Sequence, residues 1–330
     1  MKRSTAKPSL WCLALLWALV ASIPSAFADD AIKLDPALKA YVKVSGVSGN
    51  VNSIGSDTLN NLMTLWAEGF RKQYPNVKIQ IEGKGSSTAP PALIEGTAQL
   101  GPMSRMMKNT EIDAFERKFR YKPTAIPVAI DALAVYVNKD NPVKGLTIAQ
   151  VDAIFSKSRR WGHNENIQLW KQAGVEEGLG NSPVSIYGRN SASGTYGFFK
   201  EHALKNGDYK DEVKEQPGSA SVVQSVSEDQ AGIGYSGIGY LTSNVRAVPL
   251  AEKDGMPFKE ASQQNADNGT YPLWRLLYLY VNKAPNKPLD PIVVEFIKFI
   301  YSKEGQQLVV KDGFFPLKAI AIEQELQKLD

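Results

Sequence analysis

The sequence predicts an α/β protein with room for two lobes, and three observations carry that expectation. Apolar, strand-like runs alternate with amphipathic helical runs along most of the chain. Three turns rich in Gly, Ser and Thr stand where a strand would hand over to a helix: Ser53–Leu59, Glu82–Thr88 and Gly188–Phe199. The chain is 330 residues long, and about 300 remain once a short leader is set aside, more than one core usually holds. This alternation argues for mostly parallel sheets, with ligand sites at the carboxyl ends of strands.

Taken in order, residues 1–28 read as an export leader. Lys2, Arg3 and Lys7 give a basic start, Leu10–Val20 is apolar, and Ala26-Phe27-Ala28 matches a small-residue cleavage site. The apolar run is too short for a membrane span. Cys12, the single cysteine, falls inside this leader. The mature chain would therefore have no disulfide, thiol nucleophile or Cys-based zinc site. Of the formal charge of +4, three positive charges belong to the leader, leaving +1. A near-neutral chain without a basic block gives no electrostatic case for nucleic acid, so an anion site must come from local geometry.

After the first turn, Leu62, Met63, Leu65, Trp66 and Phe70 keep helical spacing. The second turn leads into Ala89–Ile94, with Pro90 and Pro91 in the tolerated first turn. Residues 125–138 read as one or two buried strands, 139–145 as a polar turn, and Thr147–Phe155 as a helix. Ile233–Tyr240 is a Gly-rich apolar stretch, Val245–Leu250 and Leu276–Val281 are strands, and the chain from Pro288 is helical. No internal repeat or low-complexity linker is present.

The third turn carries the most chemistry. Arg189 is followed at two-residue spacing by Ser191, Ser193 and Thr195, with Gly194 between the last two. Ser and Thr at a helix start cap it and leave backbone N–H groups pointing forward. Those groups and the positive dipole end attract an anion, and a guanidinium can hold two of its oxygens. Ser56, Asp57 and Thr58 in the first turn, and Ser86 and Ser87 in the second, could converge with it on one small oxyanion. An ordinary capped helix is the plainer reading of each turn taken alone.

Two glycine patterns point elsewhere and fail. Gly232-Ile-Gly-Tyr-Ser-Gly237 matches the dinucleotide fingerprint, but polar Ser227–Gln230 precedes it where a hydrophobic strand is needed. Gly83-Lys84-Gly85 lacks the Ser or Thr that a phosphate loop places directly after its lysine. The only histidines, His163 and His202, sit in polar surroundings with no link to the serine turns, which disfavours a Ser–His hydrolase. Trp161 and Trp170 read as packing anchors.

With Gly55-Ser-Asp-Thr-Leu59, Gly85-Ser-Ser87, Ile130–Ala134, Asn141-Pro142, the Arg189–Thr195 turn, Ile233-Gly-Tyr235, Ser302–Gln306 and Gly313–Leu317, the chain resembles the PstS family of type II solute-binding proteins over nearly its whole mature length. The resemblance implies a two-lobed clamp, each lobe a mixed, mostly parallel sheet flanked by helices, with residues 29–137 and 248–330 in one lobe and 138–247 in the other. It implies a non-enzymatic, monomeric periplasmic protein, or one carried beyond the periplasm, without cofactor or metal. Such a protein takes inorganic phosphate between its lobes and passes it to the permease subunits of an ABC transporter. Residue by residue, Thr58 with Ser56, Ser86 with Ser87, and Arg189, Ser193, Gly194 and Thr195 occupy the family's ligand positions.

Two departures bear on the ligand. The family places an aspartate where this chain has Ser104, followed by Arg105, and another where it has Ser191. A carboxylate accepts the proton of hydrogen phosphate and repels sulfate, which has none to give. Asp57 and Asp131 are candidate substitutes, Asp57 first, although it also suits a helix cap. Arg105 is either a second cation for the anion or a partner for Glu111 or Glu116. The alternatives to phosphate uptake are another tetrahedral oxyanion such as sulfate or molybdate, a phosphate scavenger without a permease, and a phosphatase using one of the serines.

Overall fold

The computed structural model describes Met1 and residues 31–329. The expected leader and Cys12 lie outside the described residues. Residues 32–329 fall in one compact unit.

The N-terminal part opens with a parallel pair, β1 (Gly49–Ile54) and β2 (Val77–Glu82), joined by α1 (Asn60–Gln73). α1 buries Leu62, Met63, Trp66 and Phe70, the stripe expected from spacing. Phe70 meets Phe296 edge-on with ring centroids 5.3 Å apart, and the Trp66 indole N–H donates to the Gly305 carbonyl at 2.9 Å. α2 (Ala89–Glu95) ends on Gly96 in the left-handed conformation. β3 (Gly101–Met103) and α3 (Asn109–Phe119) follow.

β4 (Thr124–Asn138) organises the rest. It is a single 15-residue strand, and all but its first residues are largely buried. After it come β5 (Leu146–Thr147), α4 (Ile148–Phe155), β6 (Ser185–Arg189), α5 (Gly194–His202), β7 (Lys214–Gln216), α6 (Ser219–Glu228), β8 (Gly232–Gly237), β9 (Val245–Ala247) and β10 (Leu250–Ala251). The chain closes with α7 (Gln263–Asp267), β11 (Trp274–Val281), α8 (Pro291–Tyr301), α9 (Lys303–Lys311) and α10 (Ala319–Leu326). The large sheet runs β3-β11-β4-β8-β6-β7, with β9 also on β4.

The caps are those the sequence offers. Thr147 accepts from the Gln150 N–H while Gln150 returns the bond, and Asp290 and Ser302 cap α8 and α9. Pro249 separates β9 from β10, because proline has no N–H for a ladder.

The sheets are less parallel than expected. β1/β2, β5/β10, β6/β7 and β6/β8 pair parallel, but β11 pairs antiparallel with β3 and β4, and β4 does so with β8 and β9. The cause is β4, which pairs with β11 from Thr124 to Ala132 and with β8 from Leu133 to Val137. β4 runs against each of these partners. The residues around this hand-over, Asp131 to Leu133, lie beside the candidate site.

Candidate functional site

The three turns meet. Asp57–Leu59 and Ser86–Thr88 each form a single 3-10 turn ahead of their helices, and the third turn opens α5. Thr58 Oγ1 and Thr195 Oγ1 lie 2.8 Å apart, although 137 residues separate them. Thr195 Oγ1 donates to Ser104 Oγ at 3.4 Å, and Ser86 Oγ lies 3.2 Å from Ser104 Oγ and accepts from its backbone N–H at 3.0 Å. All four residues are buried. Gly194 is required for this meeting: a Cβ there would overlap Ser86 Oγ and stand 2.6 Å from Ser104 Oγ. Any other residue would hold α5 away from the serines.

Arg189, at the end of β6, is 1 % exposed. Its Nη2 lies 3.1 Å from Asp57 Oδ2 and its Nη1 donates to Ser219 Oγ at 2.6 Å. Its Nε has no partner, and neither has the buried Ser56 Oγ. Asp57 Oδ2 also accepts from the Ser219 N–H at 2.8 Å, so the first turn is tied to the start of α6 as well as to β6. Tyr240 donates its hydroxyl to the Asp57 and Thr58 carbonyls, and burial pushes its pKa up.

The other expected residues lie around this centre in different roles. Ser193 caps α5, its Oγ accepting from the Tyr196 N–H at 3.3 Å. Ser87 donates both its N–H and its hydroxyl to the Ala192 carbonyl, a latch between the second turn and the third. Ser191 is exposed. Arg105 forms a two-pronged pair with Glu111 at 2.7 and 2.8 Å, the first of the two partners the sequence offered. Arg105 and Ser191 line a neighbouring cavity of about 900 Å³ that also reaches Arg275.

Sequence reasoning missed Arg275. It lies on β11 directly opposite Asp131 of β4, and both are buried. Arg275 Nε and Nη2 donate to Asp131 Oδ2 at 2.9 and 2.7 Å. Nη1 donates to the Ser104 carbonyl at 2.8 Å and Nη2 to Thr195 Oγ1 at 3.0 Å. Asp131 Oδ1 accepts from the Ile238 N–H at 2.9 Å. Burial pulls the pKa of Arg275 down, and Asp131 counters that pull. A charged residue at the head of the apolar run Leu276–Val281 was the available signal.

The rejected patterns are explained by packing. Gly232–Gly237 is the buried strand β8, and a Cβ at Gly234 would press on Val222 at 2.7 Å. His202 lies against the Phe198 ring, and Trp170 is buried with its indole N–H on the Ala231 carbonyl. Among the described residues, no cluster of three or more His, Cys, Asp or Glu is placed to hold a metal ion.

Buried hydroxyls from three turns thus meet at the start of α5, with Arg275 bonded to Thr195 and Arg189 held on Asp57 of the first turn. Residues 43–304 match the model of the PBP superfamily domain. The chain belongs to the PBP superfamily, in its PstS branch. It is 59% identical over 317 residues to the phosphate-binding protein PstS of Pseudomonas aeruginosa, covering 96% of this chain and 98% of that one. It is 30% identical to protein SphX of Synechococcus elongatus, over 98% of this chain and 91% of the other. A Clostridium perfringens ABC transporter substrate-binding protein solved with bound phosphate superposes with a TM-score of 0.69 at 27% identity, covering 82% of this chain and all of that one. Members of this branch bind solutes, and the chain is a binding protein rather than an enzyme.

Proposed function

We propose that this protein captures inorganic phosphate outside the cytoplasmic membrane and delivers it to the permease subunits of an ABC transporter. The observation that carries this reading is the buried meeting of Thr58, Ser86, Ser104 and Thr195 beside Arg189, whose Nε has no partner. The named function of the 59% identical relative supports it. Residues 29–137 with 248–330 act as one lobe and 138–247 as the other, and export places the monomeric protein in the periplasm.

Capture works by population shift. The anion gains bonds from Thr58 and Ser86 on one side and from Arg189, the Gly194 and Thr195 N–H groups and the Thr195 hydroxyl on the other. Both sets are available together only when the lobes meet, so binding favours closure. Each bond strengthens as water leaves and the local dielectric falls.

The test is titration calorimetry of ligand-stripped protein with phosphate and then sulfate. Tight phosphate binding with sulfate silent is expected, and no phosphate binding would overturn the reading. A second reading, another tetrahedral oxyanion, is favoured by one observation: a serine, Ser104, stands where the family places a carboxylate. Under the phosphate reading Asp57 is the candidate proton acceptor in its place. Asp57→Asn should narrow the phosphate-over-sulfate ratio, and an unchanged ratio would remove Asp57 from that role.

A further inference from the structure

We infer that Tyr235 and Tyr209 are positioning residues for the anion: their hydroxyls form a relay that clamps both ends of the Arg189–Thr195 turn without touching what that turn binds. The relay begins at the Arg189 backbone N–H, which donates to the Tyr235 hydroxyl at 3.2 Å. Tyr235 donates in turn to the Tyr209 hydroxyl at 3.0 Å. Tyr209 passes its own hydrogen to the Tyr196 carbonyl, also at 3.0 Å, in the first turn of α5. Arg189 is the first residue of the turn and Tyr196 follows its last. The ends of the relay therefore bracket the groups proposed to hold phosphate, and the inference rests on that reading for its ligand.

A hydroxyl has a single hydrogen. Tyr235 spends its hydrogen on Tyr209, and Tyr209 spends its own on the Tyr196 carbonyl, so neither has one left for an anion. The direction of the relay is fixed from both ends, because a backbone N–H only donates and a carbonyl only accepts. The rings hold the same elements from the side. Phe199 of α5 lies face to face with Tyr235, ring centroids 3.9 Å apart and planes 7° from parallel, and Tyr196 stacks on Tyr209 at 4.5 Å. Phe155 meets both Phe199 and Tyr235 edge-on.

The backbone alone does not make this connection. Pairing of β6 with β8 ends at Tyr187 and Gly234, and the Tyr235 side chain carries it two residues further, to Arg189. Hydrogen bonds weaken steeply as they bend. The Arg189 guanidinium and the Gly194 and Thr195 N–H groups can therefore serve one anion only while β6 and α5 keep a fixed spacing, which is what the relay sets.

The experiment is calorimetric titration with inorganic phosphate of wild type, Tyr235→Phe, Tyr209→Phe, the double variant and Tyr187→Phe, with folding of each checked by its Tm. Every substitution removes a hydroxyl and keeps the ring. Tyr187 is the control: it lies on β6 two residues before Arg189, is buried, and donates its hydroxyl to Asp229 at 3.0 Å, outside the relay. Tyr235→Phe and Tyr209→Phe should each raise the phosphate Kd roughly threefold to tenfold, the worth of one hydrogen bond. The double variant should fall well short of the product of the two, because either change alone already interrupts the relay. Tyr187→Phe should leave Kd at the wild-type value, whatever it does to Tm. An unchanged Kd in either relay variant, a double-variant loss equal to the product, or a Kd raised as much in Tyr187→Phe would each overturn the inference. Should Tyr235→Phe not fold, the Kd of Tyr209→Phe, at a half-buried site, decides by the same criterion. Absence of phosphate binding in wild type would instead overturn the phosphate reading.

Discussion

Two arginine–aspartate pairs flank the hydroxyl centre, and they are built differently. Arg189 and Asp57 join two separate segments, the end of β6 and the first turn, and the Asp57 side chain keeps 23% of its exposure. Arg275 and Asp131 are opposite one another on neighbouring strands of one sheet, with exposures of 2% and 0%. The first pair has a spare donor in Arg189 Nε. In the second, both carboxylate oxygens are used, and the guanidinium is tied on all three nitrogens. A pair with spare capacity across a joint can exchange partners with a ligand, whereas a saturated pair inside a sheet holds other groups in place.

The largest effect that would break this comparison comes from Arg189→Ala. Losing a guanidinium with two charge-assisted bonds to the anion should weaken phosphate binding by about 3–5 kcal/mol, more than a hundredfold in Kd by calorimetry. Affinity within a few fold of wild type would mean that Arg189 serves only Asp57. On stability the order should reverse. Asp131→Ala strands a buried cation and should cost about 3–5 kcal/mol in denaturant unfolding. Asp57→Ala also takes the carboxylate from a buried guanidinium, but this pair reaches solvent through Asp57, so its cost should be smaller than that of Asp131→Ala. Equal losses would erase the distinction.

Smaller changes sharpen it. Thr58→Val and Thr195→Val should each weaken phosphate by about 1–2 kcal/mol. Thr195→Val should be the worse of the two, since Arg275 Nη2 also loses an acceptor; the ratio of the two Kd values reads this directly. The smallest effect concerns a third carboxylate. Asp312 accepts from the Asn61 amide rather than from a guanidinium, and burial raises its pKa from 3.8 to about 6. An acid with a raised pKa costs stability once it must ionise. That cost is absent below about pH 4, grows as pH rises towards 6, and is complete above it. Asp312→Asn should therefore raise the Tm at pH 7.5 and leave it nearly unchanged at pH 4. A gain of equal size at both would mean that the carboxylate is not the cause.

The three turns were legible in the sequence because each is local. Capping hydroxyls, a glycine and an arginine fall within a few residues of one another, and the apolar stripe of Leu62, Met63, Trp66 and Phe70 fixes the face α1 buries. The alternative open for Arg105 was also local, and Glu111, six residues on, took it. Asp131 was seen as a carboxylate near the site, but its use could not be read, because its partner lies 144 residues away. The share of parallel pairing was misjudged for the same reason. The order of strands and helices says nothing of which strands become neighbours, and β4 changes partners midway along its length.

The sequence by itself determined the elements and their capacities: an α/β chain, three hydroxyl-bearing turns, an arginine ready for an oxyanion, and the family to which they belong. Only the tertiary structure decided which capacities are spent on the protein itself. Ser193 went to a cap, Ser87 to a latch, Arg105 to Glu111 and Asp131 to Arg275, while Arg189 kept a free donor at the centre. Local propensity arises from neighbouring residues. The partner of a buried charge is chosen by sheet register and by the cost of leaving that charge unpaired, which is settled only when distant strands meet.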